Sequence, residues 1–91
     1  MNKDLLPLGT VVTLKGANHD LFIAGYGVES SDEKTVYDYV GFPYPEGFIN
    51  KETNFLFNNS DIKKVLYLGY KDKYFLILEE QIKKFLEEKR N

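Results

Sequence analysis

Tyr37-Asp38-Tyr39-Val40-Gly41-Phe42-Pro43-Tyr44-Pro45-Glu46-Gly47 is the stretch whose reading decides the fold. Its first half is a strand, because aromatic and β-branched side chains suit a pleated, half-buried surface. Alternation sends Val36, Asp38, Val40 and Phe42 to one face and Tyr37, Tyr39 and Gly41 to the other. Asp38 is the odd residue on the Val/Phe side and needs a rim position or a partner. Two prolines end the strand, since neither can donate to a ladder. Tyr44-Pro45-Glu46-Gly47 reads as a β-turn with Pro second and Gly fourth. Tyr37, Tyr39, Tyr44 and Phe42 crowd this strand and corner. They either fill the core of a small β domain or line a surface groove for a peptide or partner, since Tyr and Phe are enriched at interfaces.

Upstream, Leu5-Leu6-Pro7-Leu8-Gly9 is an extended lead-in, with Pro7 biasing Leu6 away from helix. Thr10 to Lys15 is a first strand, with Val12 and Leu14 on one face and Val11, Thr13 and Lys15 on the other. Gly16-Ala17-Asn18-His19-Asp20 is a turn cluster. Leu21 to Val28 is a second strand, and Gly25 and Gly27 predict a bend or bulge in it. Residues 29–34 are polar and form an exposed hairpin loop.

Downstream, Thr53 to Phe57 alternates as a fourth strand. Asn58-Asn59-Ser60-Asp61 is a turn signal whose side chains can satisfy local backbone donors, with a single helical turn through Ser60 to Lys63. Lys64 to Gly69 is the fifth strand. The tail changes period: Phe75, Leu78, Ile82 and Phe85 form a helix stripe with Leu86 beside it. Asp72 can cap this helix, and Glu79–Lys83 and Glu80–Lys84 are favourably oriented pairs. Residues 74–78 are apolar throughout and would also suit a hairpin strand; the helix is the preferred reading.

The fold class expected is therefore α+β: a small five-stranded antiparallel sheet, as an SH3-like β-barrel or an open twisted sheet, with a C-terminal α-helix. It is one domain, with the β part over residues 1–70 and the helix over 71–91. The core candidates are Val12, Leu14, Val40, Phe57, Val65 and Leu68.

The totals exclude several functions. At 91 residues such a chain buries only about two-thirds of its unfolded surface, so packing has little margin. There is no cysteine, hence no disulfide and no thiolate metal site. Net charge is −2 with interspersed signs, so no field marks a polyanion binder. The paired basics Lys63-Lys64, Lys83-Lys84 and Lys89-Arg90 each lie near acids, which argues against nucleic acid as partner. Met1-Asn2-Lys3-Asp4 leads into no secretory leader, and no apolar run approaches the roughly 20 residues of a membrane span. A cytoplasmic protein with no membrane partner is the expectation.

Catalysis finds little to work with. His19 is the single histidine, in a turn beside Asp20. No nucleophile elbow or phosphate-loop spacing occurs, and Gly25-Tyr26-Gly27 alone is a weak signal. Glu79/Glu80 and Glu87/Glu88 read as a solvated helix face. No cofactor or metal is implied. An enzyme would need a carboxylate site built on Asp38 and Glu46, so a binding module is preferred. The candidate partner-binding residues are Tyr39, Tyr44 and Pro45 at the corner and Tyr74, Leu76 and Ile77 on the helix, where they lie off or beside the packed stripe. A second copy forming a homodimer is the other use of such a patch.

Several motifs together resemble a known family. They are Leu5-Leu6-Pro7-Leu8-Gly9-Thr10-Val11-Val12, then Tyr37-Asp38-Tyr39-Val40-Gly41 with Tyr44-Pro45-Glu46-Gly47, then Phe57-Asn58 with Asp61-Ile62 before Gly69-Tyr70. They look like domain-of-unknown-function family 4176, and the resemblance covers nearly the whole chain. It implies a short protein of Gram-positive bacteria, encoded near type VII secretion genes beside LXG-type toxins and small helical WXG-like partners. It carries no catalytic residues over. It implies an accessory role, as adaptor or chaperone for such an effector. Cargo of that route would be expected to carry Trp-x-Gly and a Tyr followed four residues later by an acid. This chain has no Trp, and none of its tyrosines has an acid at that distance, so a cytoplasmic helper is expected in place of cargo.

Overall fold

The computed structural model describes residues 4–32 and 34–90. Met1, Asn2 and Lys3 of the N-terminal segment, position 33 of the 29–34 loop, and Asn91 lie outside the described residues. The chain runs β1 (Val11–Leu14), β2 (Leu21–Glu29), β3 (Val36–Pro43), β4 (Phe55–Phe57), a 3-10 turn (Asn59–Asp61), β5 (Ile62–Tyr67) and α1 (Lys73–Arg90). The strands form one antiparallel sheet in the order β4-β3-β2-β1-β5. It is open and not closed into a barrel, so the twisted-sheet alternative holds.

The local reasons are those the residues supply. β2 bulges between Ile23 and Gly25, where the glycines foretold a bend. The 3-10 turn is closed from both sides: Asn58 N donates to Asp61 Oδ2 at 2.8 Å, and Asp61 N donates to Asn58 O at 2.9 Å. Asp72 caps α1, its Oδ1 accepting Phe75 N at 3.0 Å. Residues 74–78 are helical. The corner after β3 is wider than a four-residue turn from Tyr44, because Gly47 N bonds Pro43 O at 2.7 Å.

One face of the sheet holds the core: Leu5, Val12, Leu21, Ile23, Tyr39, Phe57 and, from α1, Phe75. The helix crosses β2 and β3. Its inward line is Phe75, Glu79, Ile82 and Leu86. The expected stripe through Leu78 is therefore rotated, and Leu78 faces largely outward. Glu79 replaces it because its carboxylate has work inside: Oε2 accepts Leu5 N at 2.8 Å, with Lys83 Nζ at 3.9 Å. Glu79 is thus buried, and the solvated-face reading of it is corrected.

Three core expectations also need correction. Val40 is only half-buried, and its neighbour Tyr39 points into the core. Val65 and Leu68 are exposed, although Val65 lies opposite Val12. The reason is placement: α1 covers the middle of the sheet and leaves β5, an edge strand, uncovered. Close approach fixes the return of the chain, since a Cβ on Gly69 would lie 2.1 Å from Leu8 O. Gly69 N donates to Thr10 Oγ1 at 3.0 Å on the same side.

Candidate functional site

The register of the strands builds one continuous row. Phe42 lies opposite Phe22, Phe22 opposite Val11, and Val11 opposite Tyr67. Directly opposed residues of antiparallel strands share a face. The adjacent row, Pro43–Leu21–Val12–Val65, carries the core residues Leu21 and Val12. Period-2 alternation therefore puts Phe42, Phe22, Val11 and Tyr67 on the face turned away from the core and α1. The rings of Phe22 and Phe42 stand 6.0 Å apart, and Phe48 meets Phe42 edge-on at 5.5 Å. Gly9, Val11, Phe22, Tyr44 and Tyr67 line an open groove of about 460 Å³. Tyr67 is 64% exposed and Phe48 65%.

The rim of this groove is held by polar contacts. Tyr44 N donates to Asp20 O at 2.9 Å, and Gly9 N to Ile23 O at 2.8 Å. His19 Nε2 meets Glu46 Oε1 at 2.8 Å, tying the β1–β2 turn to the corner after β3. The hydrogen bond to Glu46, then its charge, raises the His19 imidazole above its ordinary range. The same bond lowers the Glu46 carboxyl. Both groups are exposed, so this contact steadies the corner without burying a charge.

The expected partner-binding residues fall in three places. Tyr44 and Pro45 are exposed at the corner, and Tyr44 lines the groove. Tyr74, Leu76 and Ile77 are exposed on α1, which packs on the other face of the sheet, so they do not join Tyr44 in one site. Tyr39 is fully buried, and as a partner-binding residue it is corrected. Its ring lies 5.9 Å from Tyr26 and 5.3 Å from Phe57. Its hydroxyl accepts Leu6 N at 3.0 Å and donates to Asn59 Oδ1. Burial, foremost, raises its phenol to about 12.

The sequence reading missed Phe22, Val11 and Tyr67 as one row, because pairing register is not visible in single strands. The available signal was that both alternating sets of β3, and of the 21–23 segment, are apolar. One apolar face is then left over once a single core is filled.

The two carboxylates an enzyme would need are not brought together. Asp38 sits at the start of β3, where Arg90 Nη1 reaches Oδ1 at 3.0 Å and Asn59 N bonds Oδ2 at 2.8 Å. Glu46 lies beyond the other end of β3 with His19. Among the described residues no group of three or more His, Cys, Asp or Glu could hold a metal ion. No helix among them is long and apolar enough to cross a membrane.

A family model, Domain of unknown function (DUF4176), matches residues 5–84. No curated protein and no solved structure matches the chain. The match spans all five strands and most of α1, and the chain belongs to this family.

Proposed function

We propose that this DUF4176 member is a non-catalytic protein-binding accessory that holds a partner polypeptide against the apolar face built on Phe42, Phe22, Val11 and Tyr67. The observation that carries this reading is that a continuous, half-exposed apolar row crosses four strands, with α1 on the opposite face and, among the described residues, only the Phe48 ring seen against it at the Phe42 end. Uncovered apolar patches of this kind mark interaction sites. The groove lining contains no carboxylate, imidazole or amine, only the phenols of Tyr44 and Tyr67. That lining contains no Lys or Arg, and the pair Lys63-Lys64 beside Tyr67 is too small a cationic cluster for a phosphate track, which disfavours base stacking on these rings.

The role proposed is that of a cytoplasmic adaptor or chaperone for an LXG-type toxin or its small helical partner, following the resemblance noted above. Aromatic residues at the centre of an interface carry much of its energy, so removing two should weaken capture by about tenfold or more. The test is co-elution of the purified protein with such a toxin, for the wild type and for Tyr44→Ser/Tyr67→Ser, with circular dichroism confirming the fold of the variant. Loss of co-elution in the variant is expected. Equal co-elution by both, with loss in Leu76→Glu/Ile77→Glu, would move the site to the helix.

A further inference from the structure

Beside the apolar row lies the free edge of the sheet. β5 pairs with β1 alone, and its other side meets no strand among the described residues. An unpaired edge offers a row of backbone donors and acceptors to any extended chain. β4, at the opposite edge, spans only Phe55–Phe57, whereas β5 runs Ile62–Tyr67. Val65, Leu66, Tyr67 and the following Leu68 are between 43% and 64% exposed. Lys63 and Lys64 precede them, exposed and without an ion pair among the described residues.

We infer that β5 accepts an extended segment of a partner protein as a sixth, antiparallel strand, and that this segment carries apolar residues followed by two acidic ones. This rests on the protein-binding reading above and names the chemistry of what is bound. The order follows from the strand. A partner running antiparallel meets Tyr67, Leu66 and Val65 first, then Lys64 and Lys63. Lys64 lies opposite Thr13 and Tyr67 opposite Val11, both off the core face. The incoming chain therefore extends the Phe42–Phe22–Val11–Tyr67 row with an apolar side chain and places a carboxylate beside Lys64. Main-chain bonds supply affinity in such strand addition, and alternate side chains supply selectivity.

A second copy fits this edge poorly. β5 contains no acidic residue. Antiparallel self-pairing would bring two lysine pairs into one short ladder, and lysines on an edge act to block like partners. An acidic segment turns the same lysines from a barrier into a selector.

The test uses the full chain and a synthetic Ser-Val-Tyr-Val-Glu-Glu-Ser peptide, followed by fluorescence anisotropy and by amide exchange. Binding that slows exchange within residues 62–68 is expected. Exposed ion pairs are individually weak, so Lys63→Glu/Lys64→Glu should lower the affinity by about two- to thirtyfold. That variant should in turn prefer the peptide with lysine in place of glutamate. Equal binding of both peptides by both proteins would overturn the inference, as would protection confined to Phe22, Phe42 and Tyr44. Protection of 62–68 that rises with protein concentration without peptide would show a second copy and also overturn it. Failure here leaves the apolar-face reading to be judged by the Tyr44/Tyr67 variant, in which Lys63 and Lys64 are untouched.

Discussion

Replacing Tyr39 by Phe removes one oxygen from the centre of the molecule. The ring can stay where it is, between Tyr26 and Phe57, so little packing is lost. What disappears is the acceptor for Leu6 N at 3.0 Å and the donor to Asn59 Oδ1. A buried donor left without a partner costs about 1–3 kcal/mol. Leu6 is partly buried, so about 2 kcal/mol is the expected loss. For a domain of this size each kcal/mol lowers Tm by about 4–8 °C, which predicts a fall of about 8–16 °C. Tyr37→Phe is the control, because no hydrogen bond joins its hydroxyl to another described residue. Thermal unfolding followed by circular dichroism reads the difference, and faster amide exchange at Leu6 should accompany it. The high-pH behaviour gives an independent check. Burial raises the Tyr39 phenol from 10.0 to about 12 in the folded protein. A raised folded value means its contribution is intact below pH 10 and is lost as pH climbs through 12. Part of that alkaline loss should vanish in Tyr39→Phe. A Tm within about 2 °C of the Tyr37→Phe control would refute the reasoning and show that the lead-in is held without this hydroxyl.

Beyond the two binding tests given above, the His19 ring should titrate above 6.5 by NMR, and Glu46→Gln should bring it back towards that value. The sign follows from both partners: the contact is full between the Glu46 range and 6.5, fades as pH rises through the raised His19 value, and fades as pH falls through the lowered Glu46 value. Gly69→Ala should destabilise by about 2 kcal/mol or more in urea titration, because its Cβ would stand 2.1 Å from Leu8 O and only a backbone shift relieves that.

Strand order was never in the residues' local pattern, yet most elements were. The change of period at Asp72 gave α1, and the Asn58-Asn59-Ser60-Asp61 run gave the 3-10 turn. The choice of face on β3 was not legible, because Val40 and Phe42 compete with Tyr37 and Tyr39 on apolar grounds alone. Tyr39 goes inside because its hydroxyl has two partners there. The helix stripe failed for a related reason. Phe75, Leu78, Ile82, Phe85 and Phe75, Glu79, Ile82, Leu86 are both helical lines, and a carboxylate is normally placed outside. Glu79 is inside because Leu5 N needs an acceptor, a long-range fact invisible in the helix itself. Of the candidate groove, Tyr44 was legible from the corner, while Tyr67 joined it only through pairing with Val11.

The inward placement of Tyr39 and Glu79 has one physical origin, the N-terminal lead-in. Leu5 and Leu6 form no strand, yet their amides are satisfied by Glu79 and Tyr39, and Leu6 O accepts Tyr26 Oη at 2.5 Å. The lead-in thus lies against the core by side-chain hydrogen bonds, and Leu5 itself is buried there. Thr10 continues the fastening, with Oγ1 donating to Pro7 O at 2.7 Å and accepting Gly69 N at 3.0 Å. Polar anchors of this kind fix geometry with few bulky side chains. A small sheet held this way can leave apolar residues elsewhere uncommitted. Besides those on the outer side of α1, one group is contiguous: Phe22, Phe42, Phe48 and Tyr67 share one face, and Val65 to Leu68 share one edge with it. Because Tyr67 belongs to both, a polypeptide seated on the face is already beside the unpaired backbone of β5. On the proposed reading the face and the edge act as two parts of one binding surface, and a partner with a flat apolar side but no acidic extended segment should engage only the first.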